Sequence, residues 1–87
     1  MIKQEEFDRR RAGVARDRAE LSRLERAHEF GKRVRAARQS RGWTVDGLAR
    51  RARVMRGEVA AVESGHPMPA TVAGRIAATA GIDPEIE

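Results

Sequence analysis

The 87-residue chain has no cysteine, which excludes disulfides and thiolate metal sites. No apolar run approaches the ~20 residues that a membrane span needs. The opening "MIKQEEFDRRR" has no apolar core behind its charges and does not read as a secretory signal. His28 and His66 are the only histidines, too far apart to form a local metal pair and with no thiolate to complete one. There is no glycine-rich phosphate loop, paired-carboxylate cleft or nucleophile motif. Asp83, Glu85 and Glu87 form an acidic end rather than an active site. No catalytic residue, cofactor or metal is therefore expected, and the expectation is a cytoplasmic protein without enzymatic activity.

Lysine is also scarce: Lys3 and Lys32 stand against 16 arginines in a chain of net charge +5. Arginine's rigid fork of donors suits phosphate and base edges better than an ammonium. The balance points to an anionic partner, namely DNA, RNA or an acidic protein surface. Against this stands the plain alternative of a helical protein with a solvated arginine-rich surface.

Period-two alternation is absent throughout, so no strand is expected and the reading is all-α. Residues 1–27 are crowded with charge of both signs, and Glu5–Arg9 and Glu6–Arg10 are acid-before-base pairs at helical spacing. Phe7, Val14, Leu21 and Leu24 fall on a thin, roughly heptad stripe that Arg10 and Asp17 interrupt. Such a stripe cannot bury a core of its own. It predicts a helical arm that packs on the domain, pairs with a second copy, holds another protein or frays.

From residue 28 the pattern changes, and 28–87 reads as a separate compact domain. "HEFGKRVRAARQSRGW" aligns Phe30, Val34 and Ala37 on one face and stops at Gly42. Thr44 is an N-cap for "VDGLARRA", whose hydroxyl accepts from a freed amide, and Leu48 and Ala49 turn inward. "MRGEVAAVE" places Val59 and Val62 on the next inward face, ended by Ser64-Gly65. After "HPMP", "ATVAGRIAATAG" sets Val72, Ile76 and Ala80 on one face and closes at Gly81. A further turn begins at Pro84.

Two short helices joined by a turn of three or four residues fit a helix-turn-helix. In register, "FGKRVRAAR", Gly42, Thr44, Leu48-Ala49, Val54, Val59, Val62, "ESG" and "AGI" resemble the DNA-binding domain of Xre/Cro-type phage repressors over about residues 28–86. The resemblance implies a five-helix, lambda-repressor-like fold, here with an extra N-terminal helical arm. It further implies an ion pair between Arg38 and Glu63, and base reading from Met55, Arg56, Gly57 and Ala61 in the major groove. Arg56 is the side chain there able to contact guanine bidentately. Backbone contacts would come from Arg41, Thr44, Val45, Arg50, Arg51 and Arg53. Dimer or partner contacts would use Met68, Ile82 and Ile86, or the stripe Phe7, Val14, Leu21 and Leu24.

The chain departs from that pattern at four places. Val45 stands where a phosphate-binding glutamine is usual, and Arg53 where the turn calls for glycine. Met55 replaces a Ser or Thr cap, and Glu58 lies near the reading face, where it would repel phosphates or accept from a cytosine amine. The expected function is a dimeric, sequence-specific regulator of double-stranded DNA, a repressor in a bacterial or phage-infected cell and associated with the nucleoid. Two alternatives remain open: a protein-interaction module (an antitoxin or polymerase adaptor) on the same scaffold, and a non-specific architectural DNA binder.

Overall fold

The computed structural model describes the backbone of residues 4–83 and the side chains of residues 18–83. Among the described residues there are four helices and no strand: α1 (Gln4–Ser40), α2 (Val45–Ala52), α3 (Arg56–Glu63) and α4 (Ala70–Ala80). The fifth turn expected from Pro84 lies outside them, as do Ile86 and the side chains of Phe7 and Val14.

The expected arm and the first helix of the domain are one element. Nothing between Ala27 and Phe30 breaks a helix, because the composition changes there without a glycine, proline or capping residue. α1 is thus 37 residues long, roughly 55 Å at 1.5 Å per residue, and it sets the 59 Å length of a molecule only 22 × 20 Å across.

The C-terminal half of α1 joins α2, α3 and α4 around a small core. Leu48, Ile76, Val34, Val59 and Val62 are its largest fully buried side chains. These are the positions that the helical periodicity turned inward, and Ala49, Ala52, Ala77 and Ala80 fill the spaces between them. Phe30, Trp43, Val45, Val54, Met68, Val72 and Ile82 pack around the rim. Alanine at four core positions lets short helices approach closely without leaving voids.

All four helices end the same way. The amide two or three residues beyond the helical run bonds back six-to-one, and the preceding amide closes five-to-two. The pairs are Trp43 N–H to Arg38 O, Val54 N–H to Ala49 O, His66 N–H to Ala61 O and Ile82 N–H to Ala77 O, each 3.0 Å. Three of the four turns use a left-handed glycine (Gly42, Gly65, Gly81), and the fourth uses Arg53 at φ 58°. After three of them the next residue (Trp43, Val54 or Ile82) packs on the core, so each turn is fixed by burial as well as by hydrogen bonds.

Gly31 sets how closely α1 can approach α3. A Cβ built there would run into the main-chain carbonyl oxygen of Val62 and lie 3.3 Å from that of Glu63. Only a residue without a side chain admits this approach.

Candidate nucleic-acid interface

The α2–α3 turn is local in origin. The Thr44 hydroxyl accepts from the Gly47 amide at 2.9 Å and opens α2, as the sequence predicts. Arg53 then takes the left-handed conformation in which a side chain costs about 1 kcal/mol. Its amide bonds to Arg50 O at 3.3 Å, and its own carbonyl accepts from Arg75 Nη1 at 3.3 Å. Val54 is half-buried on the core, and the chain emerges at Met55 to start α3.

Met55 supplies no side-chain cap. Glu58, three residues on, reaches back instead, and its Oε1 accepts from the Met55 amide at 2.8 Å. Half of a capping box survives without a Ser or Thr. The Glu58 carboxylate, expected to face the groove, is half-buried and tied to its own helix start. That bond can form because position three of a helix lies directly beneath the cap.

Glu63 fixes the other end of α3. Its carboxylate side chain is only 4% exposed. It accepts from Arg38 Nε at 2.7 Å and from Arg38 Nη2 at 3.0 Å, a bidentate fork. Arg35 Nε adds a third contact at 3.4 Å. The remaining Arg38 nitrogen, Nη1, donates to the Trp43 carbonyl at 2.8 Å. The bond to Glu63 raises the Arg38 pKa above its ordinary value, outweighing the desolvation that lowers it. Glu63 therefore joins α3 to α1, and through Arg38 to the turn before α2.

Held at both ends, α3 presents an outward strip. Met55 is 73% exposed, and Arg56, Gly57 and Ala60 are exposed too, while Ala61 is half-buried. Ala60, one turn beyond Arg56, shares its face; the resemblance had pointed to Ala61 instead. Arg56 Nε lies 3.3 Å from Asp46 Oδ1 at the start of α2, with both side chains open to solvent.

The arginines expected on the backbone of a duplex differ in how they are held. Arg50, Arg51 and Arg53 are exposed on the second helix and its turn, beside exposed Thr44 and half-buried Val45. The Arg51 guanidinium lies 4.5 Å from the Trp43 ring centroid. Arg41 is 5.2 Å from the same ring and donates to Ala80 O at 3.0 Å, tying the end of α1 to the end of α4. Arg35 and Arg75 give no local signal, because their partners Glu63 and Arg53 lie 28 and 22 residues away along the chain.

Leu21 and Leu24 on α1 are 56% and 47% exposed. Met68 and Ile82 are half-buried against their own core. Among the described residues no group of three acidic, histidine or cysteine side chains is placed to hold a metal, and no helix is long and apolar enough to cross a membrane.

Four helices, a capped α2, a turn through a left-handed residue and an outward-facing α3 form a helix-turn-helix. The family model described as the transcription regulator-like HTH domain matches residues 22–82. The chain belongs to that family. A helix-turn-helix domain of this kind supports a DNA-binding transcriptional regulator. The match begins inside α1, ahead of residue 28. Comparisons with curated proteins and with solved structures give no match.

Proposed function

We propose that this regulator is a sequence-specific repressor of the Xre/Cro type that lays the first turn of α3 in the major groove. The observation that carries the reading is the exposure of Met55, Arg56, Gly57 and Ala60 on a helix capped at its start by its own Glu58 and tied to α1 at its end through Glu63. A helix fixed in this way can enter a groove without first being ordered. Arg56 is the base reader, through guanine O6 and N7. Met55 and Gly57 lie over the neighbouring pairs, with Ala61 at the edge of the contact. Thr44, Val45, Arg50, Arg51, Arg53 and Arg41 flank the phosphates, each phosphate neutralised steepening the salt dependence.

The protein acts in the cytoplasm, at the nucleoid, as a homodimer. Leu21 and Leu24 are the better candidates for the dimer contact because they remain exposed, whereas Met68 and Ile82 already pack on their own core. In a two-fold dimer the recognition helices sit roughly 34 Å apart, one turn of duplex. Blocking a promoter by occupancy then needs no further domain.

Selection of bound fragments from a random duplex library tests this directly. Enrichment of an inverted repeat is expected, with Arg56→Ala losing guanine preference at one position of each half-site. An enriched pool with no common sequence, combined with a steep salt slope, would instead indicate an architectural DNA binder.

A second reading rests on the same exposed pair. Leu21 and Leu24 form an apolar strip on a charged helix, which suits an antitoxin or polymerase adaptor that holds a protein through α1. Nuclease-resistant co-purification of a single protein, lost on Leu21→Glu, would favour it over DNA binding.

A further inference from the structure

We propose that Asp46 determines specificity by positioning Arg56. The proposal rests on the reading of α3 as the groove helix and assigns its selectivity to a residue on α2.

Arg56 and Asp46 are ten residues apart, yet each stands in the first turn of its helix, and Nε meets Oδ1 at 3.3 Å. Both ends of the contact are backed by structure. Asp46 follows the Thr44 cap, whose hydroxyl holds the Gly47 amide, and its negative charge suits the positive end of the α2 dipole. Arg56 follows Met55, whose amide is held by Glu58.

The chemistry of the contact matters more than its strength, since an exposed pair of this kind adds little to stability. A guanidinium has five donors in one plane. Binding the carboxylate through Nε occupies one edge and leaves Nη1 and Nη2 side by side at the tip. That tip is the bidentate donor that guanine O6 and N7 accept. Asp46 also removes much of the rotational freedom that a long side chain on an open helix face would otherwise lose on binding. A carboxylate beside the tip further disfavours the alternative in which Arg56 swings to a phosphate, because that phosphate would have to approach a like charge.

Asp46 is thus a positioning residue, and its removal changes which base is preferred rather than whether DNA binds. The test uses the full chain and a random duplex library, selected with wild type, Asp46→Ala, Arg56→Ala and the double variant. Melting curves verify that each variant folds. The readout is the ratio of guanine to the other bases at the Arg56 position, in which any uniform gain from deleting a negative charge cancels. Asp46→Ala is expected to lower that ratio about two- to tenfold, the cost of one long side chain left unordered. Arg56→Ala should abolish it, and adding Asp46→Ala to Arg56→Ala should change nothing more.

An unchanged ratio in Asp46→Ala, with affinity rising equally for all sequences, overturns the proposal and leaves Asp46 only a repelling charge. If Arg56→Ala itself leaves the selected sequences unaltered, or if no duplex is enriched at all, the groove reading of α3 has failed. That failure is visible without reference to Asp46.

Discussion

Gly31 of α1 lies against the main-chain carbonyl of Val62 in α3, so close that a β-carbon would overlap it. Gly31→Ala must push α3 outward or bend α1, because the obstacle is backbone and has no rotamer to move. A loss of about 1–3 kcal/mol is expected, read as a fall in melting temperature of about 4–8 °C per kcal/mol for a domain this small. An unchanged melting temperature would show that the two helices separate freely. Gly57→Ala is the matching control: a Cβ there meets nothing within 4 Å, so the variant should be neutral or slightly more stable.

Arg38→Ala leaves a carboxylate that is 4% exposed without its bidentate partner and strips the Trp43 carbonyl of a donor. Removing one member of a buried pair costs about 3–5 kcal/mol. Arg35 remains within 3.4 Å of Glu63, so the lower end of that range is expected, and Arg35→Ala/Arg38→Ala should exceed it. Urea denaturation decides. The raised Arg38 pKa fixes the sign of any pH effect from this guanidinium. A basic group whose pKa rises on folding gives stability that is full below its unfolded value, far above neutrality, and is lost only as pH climbs through the folded one. Its titration therefore adds no pH dependence near neutrality.

Arg53→Gly separates backbone from side chain. Relief of the left-handed conformation at φ 58° should stabilise the fold by about 1 kcal/mol. Arg53→Val, β-branched at positive φ, should destabilise it by more. If the Arg53 guanidinium touches a phosphate, the glycine variant also binds DNA more weakly at every sequence, with its salt slope reduced by about 1. A more stable variant with undiminished DNA affinity would remove Arg53 from the interface.

Met55→Ser restores a hydroxyl acceptor at the start of α3, opposite the bond that Glu58 already makes to the same residue's amide. The completed capping box is expected to add about 0.5–1 kcal/mol. Thermal melting checks it, and a variant no more stable than wild type would mean that the α3 amides are already satisfied.

What the sequence discloses and what it hides follow the range of the interactions involved. Thr44 as a cap, and Leu48, Val59, Val62 and Ile76 as core, follow from residues within one or two turns of each other, whereas the left-handed turn at Arg53 is implied only by the family resemblance. Glu58 is a local case as well: a carboxylate three residues past a cap has the cap's backbone amide within reach. Arg41 against Ala80, Arg75 against Arg53 and Gly31 against Val62 are tertiary, and no spacing rule reaches them. The Asp46–Arg56 contact is of that kind too. The shift at residue 28 marks a change in what α1 touches, and charge composition alone does not distinguish that from a break in the chain.

The unbroken run of α1 has a mechanical corollary. A helix without a hinge behaves as a lever, so whatever clasps it near Leu21 also fixes the bearing of α3, through the abutment at Gly31 and the Arg38–Glu63 tie. For two copies clasped there, the separation of their α3 helices is a fixed angle and length rather than the reach of a tether. Inserting a single residue between Leu24 and Ala27 would turn the clasp by about 100° relative to α3, and the relative bearing of two clasped copies would change with it.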